Sequence, residues 1–202
     1  MTMTTRPFPL LAVVGASTVV LAALAGCMRA RPAPLPEDVC VQDVPAMLRP
    51  LLAKSYPRHR IALSTDQHVD GDEAWNRLYD RRDSCATVAH GDFDGDGRED
   101  TALFLASLDG AAPKLVVALA RPEGWSLAEL PAWNARILGA YVQRVGPGTY
   151  LATESAPSGG GDARARDRVV LATDGLVAGR EESTGVVYGW EQAAWVFVWV
   201  SD

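Results

Sequence analysis

Histidine and cysteine are scarce in this sequence, three of each in 202 residues, and neither stands at a spacing that metal or redox chemistry uses. There is no Cys-x-x-Cys pair, no zinc-type array and no His-Glu-x-x-His, which excludes the commonest zinc and thiol-redox motifs. A Gly-x-Ser-x-Gly nucleophile turn is missing, and no glycine-rich segment ends in the Gly-Lys-Ser/Thr of a phosphate loop. Positive charge is short as well. Nineteen Lys and Arg face 25 Asp and Glu, for a formal net charge of −6, and the arginines are scattered rather than striped, so no nucleic acid partner is expected. So many acids always permit a hydrolytic carboxylate pair somewhere, but none is singled out. The expectation is a protein that is not an enzyme.

What the chain does have is one dense acidic stretch. In His90-Gly91-Asp92-Phe93-Asp94-Gly95-Asp96-Gly97-Arg98-Glu99-Asp100, followed by Thr101-Ala102-Leu103-Phe104, aspartates occupy relative positions 1, 3, 5 and 9. Arg98, at position 7, can add a backbone carbonyl. An all-oxygen set of this kind suits Ca²⁺, which takes six to eight oxygen ligands. Gly95 and Gly97 permit the positive φ angles a tight ion-wrapping loop needs. It is not an EF-hand, because position 12 is Leu103 and the following segment reads as a strand rather than a helix. The bland alternative is a polar Asp/Gly turn. Against it, two carboxylates about 4 Å apart repel by roughly 4 kcal/mol at an effective dielectric of about 20, so four converging ones call for a counter-cation.

Near the start, Arg6 precedes an uncharged stretch whose apolar centre runs from Leu10 to Leu24. Length alone leaves signal peptide and membrane anchor close. Leu24-Ala25-Gly26-Cys27 resembles the lipobox of bacterial lipoproteins, which implies cleavage after residue 26 and acylation of Cys27; an uncleaved anchor or a chance cysteine is the alternative. Cleavage would remove one cation and no anion, moving the formal charge from −6 to −7. Several acyl chains bind a bilayer more firmly than the single chain that is only marginal. Residues 27–38 then form the lipidated cysteine and a proline-rich tether, able to hold a domain about 25 Å from the lipid if extended. By resemblance to sorting rules in enteric bacteria, Met28 favours the outer membrane over the inner. The expected address is a lipid-anchored protein of the bacterial cell envelope, with an envelope protein or glycan as possible partner.

Residues 39–202 are expected to form a single domain. Cys40 and Cys85 remain for it, and an oxidising compartment favours a disulfide over two free thiols. Such a bond would pin the N-terminal segment beside the strand that enters the acidic loop. A helix is expected over Val44 to Tyr56, with Pro45 in its first turn and Met47, Leu48, Leu51 and Leu52 on one face. A second, near Asp72 to Tyr79, would be capped by Asp70 or Asp72 and bury Trp75, Leu78 and Tyr79. His59 and His68 read as loop residues rather than ligands.

Strands are expected near 85–90, 101–107, 114–120, 125–130, 137–144, 149–154, 168–173, 183–189 and 194–200. Trp195 to Val200 places aromatics on one face and valines on the other, as in a central strand, with Gly189 to Gln192 as its hairpin turn. Pro157 to Arg166 reads as a flexible hairpin tip. Trp125, Trp133, Trp190, Trp195 and Trp199 are mostly core at this spacing, though they could line a groove. The fold class is α+β, mainly antiparallel sheet with one or two short N-terminal helices.

Gly91 to Asp100 resembles the calcium loop of FG-GAP, or integrin α-propeller-like, repeats. That resemblance implies carboxylate ligands from Asp92, Asp94, Asp96 and Asp100 and a carbonyl from Arg98. The family stacks several repeats as blades; here one loop occurs, and the roughly 115 residues after Cys85 are too few to close a propeller. A looser resemblance, through Tyr56 to Ile61, Val187 to Trp190 and Trp199 to Asp202, is to small secreted bacterial proteins with one such loop. Together these imply a calcium-stabilised, non-enzymatic binding or structural lipoprotein. The rival is a periplasmic hydrolase or an inhibitor of an envelope enzyme.

Overall fold

The computed structural model describes residues 37–69, 71–73, 76, 85–131, 136–153, 162–180 and 185–200, all within the compact unit Pro36–Asp202. The signal segment, Cys27 and the tether to residue 36 lie outside them, as do Asp70, Trp75, Leu78, Tyr79, Trp133 and residues 157–161 of the polar tip. No described helix is long and apolar enough to cross a membrane.

The first sheet contains β1 (His59–Ile61), β2 (Val88–Gly91), β3 (Asp100–Ser107), β4 (Lys114–Arg121) and β5 (Gly124–Leu130). Its order is β1-β3-β4-β5, and β2 shares the β1 edge of β3 end to end: Gly91 lies opposite Asp100, while His59 lies opposite Ser107. The second sheet contains β6 (Ala140–Val145), β9 (Gly175–Arg180), β10 (Gly185–Glu191) and β11 (Ala194–Val200), in the order β11-β10-β9-β6. Between them in sequence, β7 (Gly148–Leu151) and β8 (Arg168–Leu171) pair with each other. All these strand pairings are antiparallel.

Period-two alternation sorts the side chains into three cores. Phe93, Ala102, Phe104, Leu115, Val117 and Leu119 of the first sheet and its loop meet Val142, Leu176, Val186, Tyr188 and Phe197 of the second, so the two sheets form a sandwich. The other face of the first sheet, with Leu103, Leu105, Val116 and Ala118, is covered by Cys40, Val44, Leu48 and Leu52 from the N-terminal helices. The other face of the second sheet buries Val187, Val196 and Val198 under Val169 and Leu171 of β8. The fold is α+β and mainly antiparallel sheet, with two short helices and no closed barrel or propeller among the described residues.

Four details differ from expectation. The helix expected over Val44 to Tyr56 forms only over its second half, as α2 (Arg49–Ser55), and a short helix not expected from the sequence, α1 (Val39–Asp43), precedes that range. Pro50 is the reason for the late start: it has no N–H to donate and is tolerated only in a first turn, so the helix starts at Arg49 and leaves Met47 82% exposed. Strands β1 and β9 were not expected, one being only three residues long and the other opening on Gly175 and carrying Gly179. The β10–β11 turn is centred on Gln192 and Ala193, at φ 49° and 63°, and overlaps only the last residue of the Gly189 to Gln192 segment, whose other residues end β10. A two-residue type I′ turn needs both residues left-handed, and this one meets the demand without glycine, at about 1–2 kcal/mol per residue.

The fourth correction is that β11 ends the order of its sheet rather than lying at its centre. Alternation reports only whether a strand's faces are covered, and both are. Part of its free edge is satisfied by the descending arm of the polar tip: Phe197 N–H donates to Arg164 O and Arg166 N–H to Phe197 O, at 3.0 and 2.8 Å. Arg164 and Arg166 are thus joined to β11 through their backbones. Of the tryptophans, Trp195 is buried, Trp190 meets it edge to face at 5.3 Å, and Trp125 packs on the helical side of the first sheet.

Candidate metal centre

The acidic loop closes the β2–β3 hairpin. Because Gly91 and Asp100 are paired across that ladder, the first and last aspartates are brought together by register alone. Phe93, completely buried in the inter-sheet core, hooks the loop from within, and the alternation of the chain then turns Asp92 and Asp94 to the same side. Gly95 sits at φ +77°, and a β-carbon there would lie 2.9 Å from Thr173 Cγ2. Both conditions require glycine.

One carboxylate oxygen from each of Asp92, Asp94 and Asp100 lies within 4.8 Å of the others. Oxygens that share a calcium ion at 2.3–2.6 Å can be at most about 5 Å apart, so this spacing fits one ion. Asp92 Oδ2 accepts the Gly97 N–H at 3.0 Å, while its Oδ1 is buried and has no hydrogen-bond partner. An unpaired buried carboxylate oxygen is costly unless a cation meets it. The oxygen chemistry and this orphan both fit a hard cation.

Asp100 is fully buried and accepts the Ala120 N–H at 2.7 Å and the Phe93 N–H at 2.9 Å. Burial, partly offset by those two bonds and reinforced by Asp94 and Asp96, pushes its carboxyl up to about 6. Asp96 does not join the three. Its carboxylate takes the Arg98 N–H at 3.0 Å, Arg98 Nη1 at 2.7 Å and Arg121 Nη1 at 3.1 Å. Arg121 Nη1 also meets Asp94 Oδ2. The counter-charge that the sequence assigns to a metal is thus supplied in part by an arginine on β4. Arg98 enters through its side chain and its N–H.

The second sheet also reaches the loop. Asp174 Oδ2 accepts the Asp92 N–H at 3.2 Å and lies 3.5 Å from Arg144 Nη1. Neither Arg121 nor Asp174 is legible from the loop sequence, because each arrives through a different strand connection.

The chain has no match among protein-family models, curated proteins or solved structures. The reading of the site therefore stands on its own chemistry.

Two other arrangements bear on catalysis. His90 Nδ1 lies 3.3 Å from Thr101 Oγ1 and its Nε2 3.3 Å from Asp43 Oδ1, an order like that of a nucleophile–base–acid relay. Thr101 is only 1% exposed, so its hydroxyl does not meet a substrate from solvent. A groove of about 440 Å³ is lined by Arg60, Asp66, Ser107, Gly110 to Pro113, Arg136 and Ile137. Its one acid, Asp66, is clamped by Arg60 at 2.7 Å on both oxygens and takes the Leu63 N–H. His59 is a loop-facing contact, its Nε2 3.2 Å from Ala112 O.

Proposed function

We propose that this chain is a lipid-anchored protein of the bacterial envelope, acting as a non-enzymatic binding or structural module whose sandwich is braced by one calcium ion. Asp92, Asp94 and Asp100 are the carboxylate ligands, with Asp96 and the Arg98 carbonyl assigned to the same ion by the resemblance of the loop. The observation that carries the metal is the buried, unpartnered Oδ1 of Asp92 beside two further carboxylates. The lipobox-like Leu24 to Cys27 carries the anchor.

The metal is tested by unfolding the wild type in excess chelator and in calcium. Free calcium at 100 times its dissociation constant stabilises by about 2.7 kcal/mol, a rise of roughly 5–10 °C for a domain of this size. Magnesium gives less, since it sheds water reluctantly and demands octahedral geometry. The calcium response should shrink below about pH 6, where Asp100 takes up a proton. The sign for the metal-free protein is opposite. A carboxyl whose folded value lies above its unfolded value binds its proton more tightly when folded, so this group adds stability as pH falls from about 6 to about 4. Identical melting in chelator and calcium would sink the metal. For the anchor, acyl labelling is expected in the wild type and lost in Cys27→Ser; labelling retained in that variant refutes it.

A further inference from the structure

Resting on the calcium reading above, we infer that Arg121 is a resident cation of the loop, so that metal uptake is an exchange in which its guanidinium releases Asp94 and Asp96. Arg121 ends β4, and Gly124, directly opposite it on β5, closes a tight turn. That turn carries the arginine past the end of β3 and under the acidic loop, where the neighbouring Ala120 N–H already holds Asp100. From there a single nitrogen, Nη1, touches the carboxylates at loop positions 3 and 5.

The geometry makes Arg121 and a divalent ion rivals. Asp94 has one oxygen engaged by the Asp96 N–H at 3.3 Å, and the other is the oxygen on which Arg121 sits. The Asp94 side chain is only 5% exposed, so no spare solvent-facing arc is left for a second cation. Asp96 stands outside the convergent group of three, and Arg121 and Arg98 are what hold it there. Arg121 itself is 26% exposed, which leaves its long side chain a way into water once released. A guanidinium kept in place would in addition repel the incoming ion.

The consequence is a site whose affinity is set from outside the loop. With Arg121 the metal-free loop is partly neutralised and folded; without it the loop is strained but binds more tightly. A purely positioning arginine does the reverse, since its loss would scatter the carboxylates and weaken binding.

Calorimetric calcium titration of the full chain separates these. Arg121→Gln is expected to bind calcium about fivefold more tightly, the weight of one well-aligned, partly exposed ion pair. Its melting temperature should fall in chelator and return to that of the wild type in saturating calcium. Arg121→Lys keeps the charge and should stay within about threefold of wild-type affinity. Arg144→Gln is the control for bulk charge, because its ion pair is with Asp174; it should change affinity by no more than about twofold. Equal or weaker binding by Arg121→Gln, or an equal gain in Arg144→Gln, overturns the exchange while leaving the calcium site standing. Calcium uptake by neither wild type nor Arg121→Gln overturns both.

Discussion

Replacing Cys40 and Cys85 together by alanine is expected to lower the unfolding free energy by about 4 kcal/mol. The bond between them spans 45 residues, and closing a loop of that length removes about this much chain entropy from the unfolded state. The location makes the loss matter for the site. Cys40 lies in α1 and Cys85 three residues before β2, so the bond ties the helical layer to the strand that leads into the acidic loop. Both sulfurs are buried, and the bridge packs among Val44, Leu48, Val88 and Leu103. Chemical unfolding of the double variant should show a lower midpoint and a steeper slope, because the unfolded chain without the cross-link exposes more surface. Alkylation of the unreduced, unfolded wild-type domain should find neither cysteine free. Two free thiols there, or an unchanged midpoint in the variant, would remove the disulfide from this account.

Phe93→Ala should cost about 3–5 kcal/mol, the usual range for truncating a buried aromatic. Phe93 is completely buried between the sheets, yet it lies inside the loop, between two candidate ligands. Its backbone N–H also donates to Asp100. Loss of the ring should therefore weaken calcium binding as well as the fold, although no ligand atom is removed. Asp92→Asn makes the useful contrast. It keeps the shape, and in chelator it should melt within about 1 °C of the wild type or above it, because it relieves carboxylate repulsion; its calcium response should be lost. A Phe93→Ala protein that melts like the wild type in chelator would mean that the loop is not anchored through the core.

Much of this architecture could be read from residue order. Short apolar runs bounded by Gly, Pro and Asp marked β3, β4 and β11, because a strand covered on both faces reads as a near-continuous apolar run whatever its partners are. The acidic loop was equally local: its spacing, its glycines and the flanking β2 and β3 are all set within about twenty residues, and antiparallel pairing of Gly91 with Asp100 does the converging. The pairing of Cys40 with Cys85 was favoured because an isolated pair in an oxidising compartment, the expected address of the domain, is usually a disulfide.

What sequence order did not reveal arises where distant segments meet or where one residue outweighs a pattern. Pro50 delayed the start of a helix whose apolar spacing looked continuous from Val44, since a missing N–H is a single local fact that periodicity averages away. Nothing in Trp195 to Val200 says that β11 closes its sheet, because neighbour order along a sheet is a property of other strands. Arg121 and Asp174 reach the loop from β4 and from the turn before β9. Local order determined that carboxylates would converge on one point; only the tertiary structure decided which charges would already be waiting there, because Coulomb attraction depends on distance in space and not along the chain.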